Sequence, residues 1–238
     1  MQADAAVLAL LATGEIVIEG QLVDASNLAL YCEARVGEDA LTCIYKPVNG
    51  ERPLWDFPDG TLAGRETAAF LVSEALGWAI VPPTVLRDGP VGVGMVQEWI
   101  DVDETVDLLD LLHSTDDERL RRLALYDAIV NNADRKGGHL LPTPAGHLYG
   151  IDHGVCFSDE DKLRTVLWQW RGLPLPADLC PDVARIRGEL DGDLGAALRP
   201  LLTRLEIRAL RRRIDSLLAA GVHPQPSGNW PAVPWPPI

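Results

Sequence analysis

Two aspartates, Asp134 and Asp152, have the residue type and setting from which a reaction can be inferred. They stand in the stretches 131–139 (NNADRKGGH) and 150–154 (GIDHG). Each follows an apolar run and is flanked by residues that favour turns. Phosphoryl transfer needs one carboxylate that orients a nucleophile and a second that holds a metal ion on nucleotide phosphates. The pair therefore predicts phosphoryl-transfer chemistry.

The neighbours of Asp134 have types that suit a catalytic loop. Asn132 is expected to position Asp134, and the adjacent Arg135 to neutralise nearby negative charge. The alternative is structural: Asn and Asp often satisfy free backbone groups where a helix ends in a loop. Because a second aspartate motif follows in the right order, the catalytic interpretation is favoured.

Asp152 and His139 are the candidate metal ligands. Gly154 allows a tight turn after Asp152, and a carboxylate suits a hard cation such as Mg²⁺. An imidazole suits Mn²⁺ or Zn²⁺ better than Mg²⁺, so His139 also has the alternatives of contacting phosphate or packing in its loop. The spacing of His139, His147 and His153 matches no zinc pattern.

Lys46 ends a β-rich run and is the candidate for neutralising nucleotide phosphates. Glu66 and Glu74 lie on the helix predicted next, and either could orient the ammonium group. We favour Glu66, because it stands near the start of that helix and so nearer the expected cleft.

Two further segments are candidate nucleotide contacts. The turn around Ser26 and Asn27 has no Gly-x-Gly-x-x-Gly pattern, but its hydroxyl and backbone amides could bind phosphate oxygens. A plain hairpin turn explains it equally well. Gln97, Glu98 and Trp99 join the strand-rich half to the helical half and are predicted to contact adenine; the alternative is an edge strand without a ligand.

The composition limits the class of partner and the compartment. A net charge of −14, from 35 acidic and 21 basic residues, argues against nucleic acid as a partner. The four cysteines form no Cys-x-x-Cys pair, which favours a reducing cytoplasm. The apolar run near the N-terminus is too short to span a bilayer, so no stable membrane insertion is expected.

The periodicity of the chain predicts a sheet followed by helices, which is an α+β arrangement. Thr115–Glu118 reads as a capping box that opens a helix through Val130. Residues 1–100 are predicted to form a nucleotide-binding lobe, 101–223 a helical catalytic lobe, and 224–238 an extended Pro- and Trp-rich tail. The predicted elements are a helix over 5–12, strands over 14–23, 28–36 and 41–45, a helix over 62–76, strands over 84–87 and 91–99, and helices over 115–130 and 203–219.

The motifs together resemble a known superfamily. The stretch 124–135 (ALYDAIVNNADR) is similar to the catalytic-loop region of the phosphatidylinositol 3-/4-kinase-like superfamily and of HipA-type protein kinases. The stretch 151–154 (IDHG) is similar to their metal-binding Asp-x-Gly motif. The resemblance covers roughly residues 14–170 and extends to a family of actinobacterial proteins with this catalytic domain.

This resemblance implies a two-lobed, protein-kinase-like fold with an antiparallel-sheet N-lobe and a mainly helical C-lobe. It implies that Lys46 contacts the nucleotide with Glu66 as its partner, that Asp134 is catalytic, and that Asp152 binds metal. Asp127 would brace the loop.

The function expected from residues and resemblance together is phosphoryl transfer from ATP, with Mg²⁺ or Mn²⁺, to a protein or small-molecule hydroxyl. His139 stands where those families place an asparagine ligand. Two alternatives therefore stay open: a pseudokinase that binds nucleotide without transfer, and an AMP transferase.

Overall fold

A five-stranded antiparallel sheet forms the first half of the chain, with the strand order β1-β2-β3-β5-β4. The computed structural model describes residues 3–23 and 26–238, so Asp24 and Ala25 of the predicted turn lie outside the described residues. The prediction of an α+β protein is confirmed. The elements of this half are α1 (Ala5–Thr13), β1 (Glu15–Gln21), β2 (Leu30–Val36), β3 (Asp39–Pro47), α2 (Leu62–Leu76), β4 (Thr84–Gly89) and β5 (Gly92–Glu98).

Alternation along β2 explains how the sheet buries one face. Leu30, Cys32 and Ala34 are buried, whereas the residues between them are only partly covered. Gly77 ends α2 with φ 72°, a left-handed conformation that glycine adopts without steric cost. The helix therefore stops at the predicted residue.

The second half is mainly helical, with one short hairpin. Its buried core includes Leu120, Leu123, Ile129 and Ile214. The predicted helix over 203–219 is present as α7, opened by a capping box in which Thr203 and Glu206 bond each other's backbone. The elements of this half are α3 (Leu108–His113), α4 (Glu118–Val130), β6 (Leu140–Pro142), β7 (Leu148–Gly150), α5 (Cys180–Glu189), α6 (Asp193–Leu198) and α7 (Arg204–Ala220).

The predicted capping box at Thr115 is wrong. Helix α4 begins at Glu118, and its N-cap is Asp117, whose carboxylate accepts hydrogen bonds from the N–H groups of Arg119 and Leu120. The Asp117 carboxylate, two residues after Thr115, satisfies the free amides of the first turn and also complements the helix dipole.

The Pro- and Trp-rich segment 224–238 packs along the helical half. The Ala232 carbonyl accepts hydrogen bonds from Thr165 N (3.0 Å) and Trp168 Nε1 (2.8 Å). The Pro237 carbonyl accepts one from Gly137 N at 2.8 Å. The segment therefore reaches the stretch that carries Asp134.

None of the helices in the described ranges is both long enough and apolar enough to cross a bilayer.

Candidate active site

Lys46 joins three parts of the chain that are distant in sequence. Its Nζ lies 2.8 Å from Glu66 Oε1 on α2 and 3.0 Å from Asp152 Oδ1 in the loop after β7. Glu74 lies elsewhere and accepts a hydrogen bond from Ala3 N at 2.9 Å. The geometry therefore selects Glu66 as the partner of Lys46.

Lys46 and Asp152 keep each other charged. Burial alone lowers the pKa of Lys46, but the Asp152 and Glu66 carboxylates outweigh it and raise that pKa above its ordinary value. The Lys46 ammonium in turn holds the pKa of Asp152 well below its usual range. At neutral pH the site thus presents an ammonium group beside an ionised carboxylate.

Asp152 has a backbone conformation that is uncommon for a residue other than glycine. Its φ is 62°, and Glu66 Oε2 fixes the next residue by accepting a hydrogen bond from His153 N at 2.8 Å. Strained residues of this kind cluster at functional sites when the surroundings hold them in place.

His139 lies against Asp152, with its Nε2 3.4 Å from Asp152 Oδ2. Burial lowers the pKa of His139 to about 4, so the imidazole is neutral at pH 7. Its Nδ1 accepts a hydrogen bond from Lys136 N at 3.4 Å, which assigns the ring proton to Nε2 and directs it at Asp152. In this tautomer His139 orients the carboxylate, and it could ligate a metal only after the proton moves to Nδ1.

The two predicted metal ligands, Asp152 and His139, lie side by side but do not by themselves enclose a cation. Across residues 3–23 and 26–238, no group of three or more His, Cys, Asp or Glu side chains converges as a metal cage. A magnesium ion in a phosphoryl-transfer site commonly takes one or two carboxylates and completes its shell with substrate phosphates and water. Asp152 fits that pattern.

Asp134 is held from both sides. Asn132 Oδ1 accepts a hydrogen bond from Asp134 N at 3.0 Å, and Lys136 Nζ lies 3.2 Å from Asp134 Oδ2. Burial raises the pKa of Asp134, with Lys136 opposing the shift. Asn132 is itself fully buried, so it positions the backbone of Asp134 and does not reach the cleft.

The expected role of Arg135 is corrected by its burial. Arg135 and Asp127 are both fully buried and form an ion pair, with Nε 2.9 Å from Asp127 Oδ2. Arg135 also donates to Ile151 O at 2.8 Å and lies 2.7 Å from His153 Nε2. The guanidinium therefore ties the Asp134 loop to the Asp152 loop and cannot neutralise charge in the cleft.

Asp134, Asp152, Lys46 and Glu66 line one cavity of about 200 Å³. Ser26 and Asn27, the candidate phosphate contacts between β1 and β2, also line it. The Asn27 side chain is engaged, since its Oδ1 accepts a hydrogen bond from Arg52 N at 2.8 Å. The cavity therefore presents the Asp134 and Asp152 carboxylates and the Lys46 ammonium to a ligand.

Comparison with known proteins places the chain among relatives. No family model matches it. It is 47% identical to protein Rv2133c of Mycobacterium tuberculosis, over 96% of this chain and 94% of that protein. The chain belongs to the same family as Rv2133c.

The fold has a solved counterpart. The crystal structure of the Helicobacter pylori proinflammatory kinase CtkA matches with a TM-score of 0.50, covering 89% of this chain and 93% of that one. The sequences are 13% identical, so this likeness shows the fold alone. The fold of the chain is therefore kinase-like.

Two backbone N–H groups of the predicted adenine segment Gln97–Trp99 form hydrogen bonds within the protein. Glu98 N donates to Pro83 O at 2.9 Å, and Trp99 N donates to Thr42 O at 3.0 Å. The buried Gln97 side chain donates to Thr84 Oγ1 at 2.8 Å. Because sheet pairing already occupies these donors, they are not available to a base.

Two charged residues of the cavity wall, Glu51 and Arg52, were not predicted from the sequence. They stand in the loop that joins the strand of Lys46 to the helix of Glu66, and this adjacency was the available signal. Lys136, the partner of Asp134, lies within the stretch 131–139 but received no role, because its direction depends on the loop conformation.

Proposed function

We propose that this protein is a phosphotransferase that moves the γ-phosphoryl group of ATP to a hydroxyl of a protein or small-molecule acceptor, in the manner of the phosphatidylinositol 3-/4-kinase-like superfamily. The observation that carries the proposal is the Lys46–Glu66–Asp152 group, formed at a cavity that Asp134 also lines. The kinase-like fold supports it.

In this mechanism Lys46 neutralises phosphate charge, and Glu66 fixes the direction of its ammonium group. Asp134 orients the acceptor hydroxyl and takes its proton as the hydroxyl oxygen bonds to the γ-phosphorus and ADP departs. Burial raises the pKa of Asp134, which makes it a better proton acceptor than an exposed aspartate.

Asp152 would hold Mg²⁺ or Mn²⁺, with His139 orienting its carboxylate or joining as a second ligand. When bound, the metal supplies positive charge against the phosphate oxygens. The adenine edge is assigned to the connection that follows Trp99, because the amides before it are used within the sheet.

The test measures nucleotide binding and turnover with the whole chain. We expect Asp134→Asn to bind Mg-ATP as the unchanged protein does, while turnover falls by about a hundredfold or more. Asp152→Asn should weaken metal-dependent ATP binding. Asp159→Asn is the matched control, because this exposed aspartate lies outside the Lys46 cavity.

Each remaining outcome separates one alternative. ATP binding with no turnover under any metal would identify a pseudokinase. An intact-mass increase of one AMP, instead of one phosphate, would identify an AMP transferase. If Asp152→Asn binds and turns over Mg-ATP as the unchanged protein does, the assignment is wrong.

A further inference from the structure

One charged group in the described wall of the Lys46 cavity has no partner. Three of its carboxylates form ion pairs: Glu66 and Asp152 with Lys46, and Asp134 with Lys136. A fourth, Glu51, accepts hydrogen bonds from two backbone amides of α2. Within residues 3–23 and 26–238, the guanidinium of Arg52 has no ion pair or hydrogen bond, although Arg52 lines the same cavity.

The backbone on which Arg52 stands is anchored on both sides. Arg52 N donates to Asn27 Oδ1 at 2.8 Å, which ties it to the turn between β1 and β2. The preceding Glu51 carboxylate accepts from Leu62 N at 3.1 Å and Ala63 N at 2.8 Å at the start of α2. The loop is therefore fixed at the cavity, while the exposed Arg52 side chain has no bonding partner in the described part of the chain.

The turn above this loop explains why a side chain is needed there. A glycine-rich turn lets backbone amides approach phosphate oxygens closely, because no Cβ intervenes. Residues 21–29 (QLVDASNLA) contain no glycine. An arginine reaches further than an amide, and its planar fork can donate two parallel hydrogen bonds to a phosphate.

The charge of the cavity requires a second cation. Among the residues that the structure describes, two cationic and four acidic side chains line it, so an entering polyphosphate meets a wall that is net negative. Lys46 is already shared between Glu66 and Asp152. Arg52 is the lining cation that can give its whole charge to a ligand.

We propose that Arg52 is the second phosphate-binding cation of this cavity and holds the terminal phosphoryl groups of a nucleoside di- or triphosphate. The inference rests on the proposed function, because it takes the nucleotide as the occupant. It adds a recognition role for the loop between β3 and α2.

The experiment titrates the whole chain with Mg-ATP, Mg-ADP and AMP by calorimetry. We expect Arg52→Ala to weaken Mg-ATP and Mg-ADP binding by about tenfold to a hundredfold, the range of a lost charge-assisted contact. AMP binding should be unchanged, because AMP has no β- or γ-phosphate. Arg52→Lys keeps the charge but loses the planar fork, so its affinity for Mg-ATP should lie between those of the unchanged protein and Arg52→Ala.

The control is Arg208→Ala, which removes the same charge from an exposed position of α7 outside the cavity. It should bind all three nucleotides as the unchanged protein does, and thermal unfolding should be the same for both alanine variants. If Arg52→Ala binds Mg-ATP normally, or loses AMP and ATP equally, the role of Arg52 is refuted while the proposed function stands. If the unchanged protein binds none of the three nucleotides, the proposed function fails and this role fails with it.

Discussion

An Asp127→Asn substitution removes the charge that balances Arg135 in the interior of the helical half. Both side chains are fully buried, and the guanidinium lies 2.9 Å from each Asp127 oxygen, through Nε and Nη2. The same carboxylate accepts a hydrogen bond from Asn132 Nδ2 at 3.0 Å. Asparagine has almost the same shape, but it removes the charge and replaces one acceptor oxygen with an NH2 donor that faces other donors.

The expected loss of stability comes from the unpaired Arg135 charge that stays buried. Breaking a buried ion pair by removing one partner costs about 3–5 kcal/mol, because the other charge stays buried without compensation. His153 cannot substitute for the carboxylate, since burial keeps its pKa well below the ordinary value and its ring is neutral. We expect the free energy of unfolding to fall by about 3–5 kcal/mol.

Urea unfolding followed by circular dichroism measures the loss. A double variant, Asp127→Leu/Arg135→Met, leaves no unpaired buried charge. Its free energy of unfolding should therefore fall by less than that of Asp127→Leu or Arg135→Met alone. This role of the unpaired charge is refuted if Asp127→Asn lowers the free energy of unfolding by less than about 1 kcal/mol. It is also refuted if the double variant loses as much as both single variants added together.

Three further predictions concern the tail, the sheet and a buried histidine. Trp230→Ala removes a ring stacked on Trp55 at 5.7 Å and should cost about 1–2 kcal/mol in thermal unfolding, whereas Trp235→Ala, 86% exposed, should cost little. Gly94→Ala places a Cβ as close as 2.5 Å to strand β3 and should cost about 1–3 kcal/mol while weakening ATP binding, measured by unfolding and calorimetry; equal stability would contradict it. Burial lowers the pKa of His223 to about 4, so the folded state binds this proton only at a lower pH than the unfolded state does. The free energy of unfolding therefore falls as pH drops below 6.5. Between pH 7 and pH 5 this histidine should account for about 2 kcal/mol, and a His223→Gln variant that loses as much over that interval would exclude it as the source.

Local signals predicted most of the elements. Helix α2 has the predicted bounds, because an apolar stripe and a terminating glycine act within a few residues of each other. The start of α4 was wrong because Thr115 and Asp117 both have suitable side chains. The choice between them depends on which one lies beside the free amides.

The site was predicted as a set of residues and not as a set of contacts. Arg135 is adjacent to Asp134 in sequence, yet it points into the core, where Asp127 pairs with it. The segment Gln97–Trp99 is a related case, because the backbone N–H groups of Glu98 and Trp99 already have acceptors within the protein. Whether an amide is free depends on how β5 pairs with β3 and β4, which are separate segments of the chain.

The sequence by itself determined the residue types that suit phosphoryl transfer and the order in which they occur. It also determined the α+β class, because strand and helix periodicities are properties of short segments. Only the tertiary structure decided that Lys46 pairs with Glu66 and Asp152 and that Arg135 is a buried brace. It also decided that the Arg52 guanidinium has no partner among residues 3–23 and 26–238. Lys46 lies 106 residues from Asp152 along the chain, so their contact depends on packing between segments that no local pattern encodes.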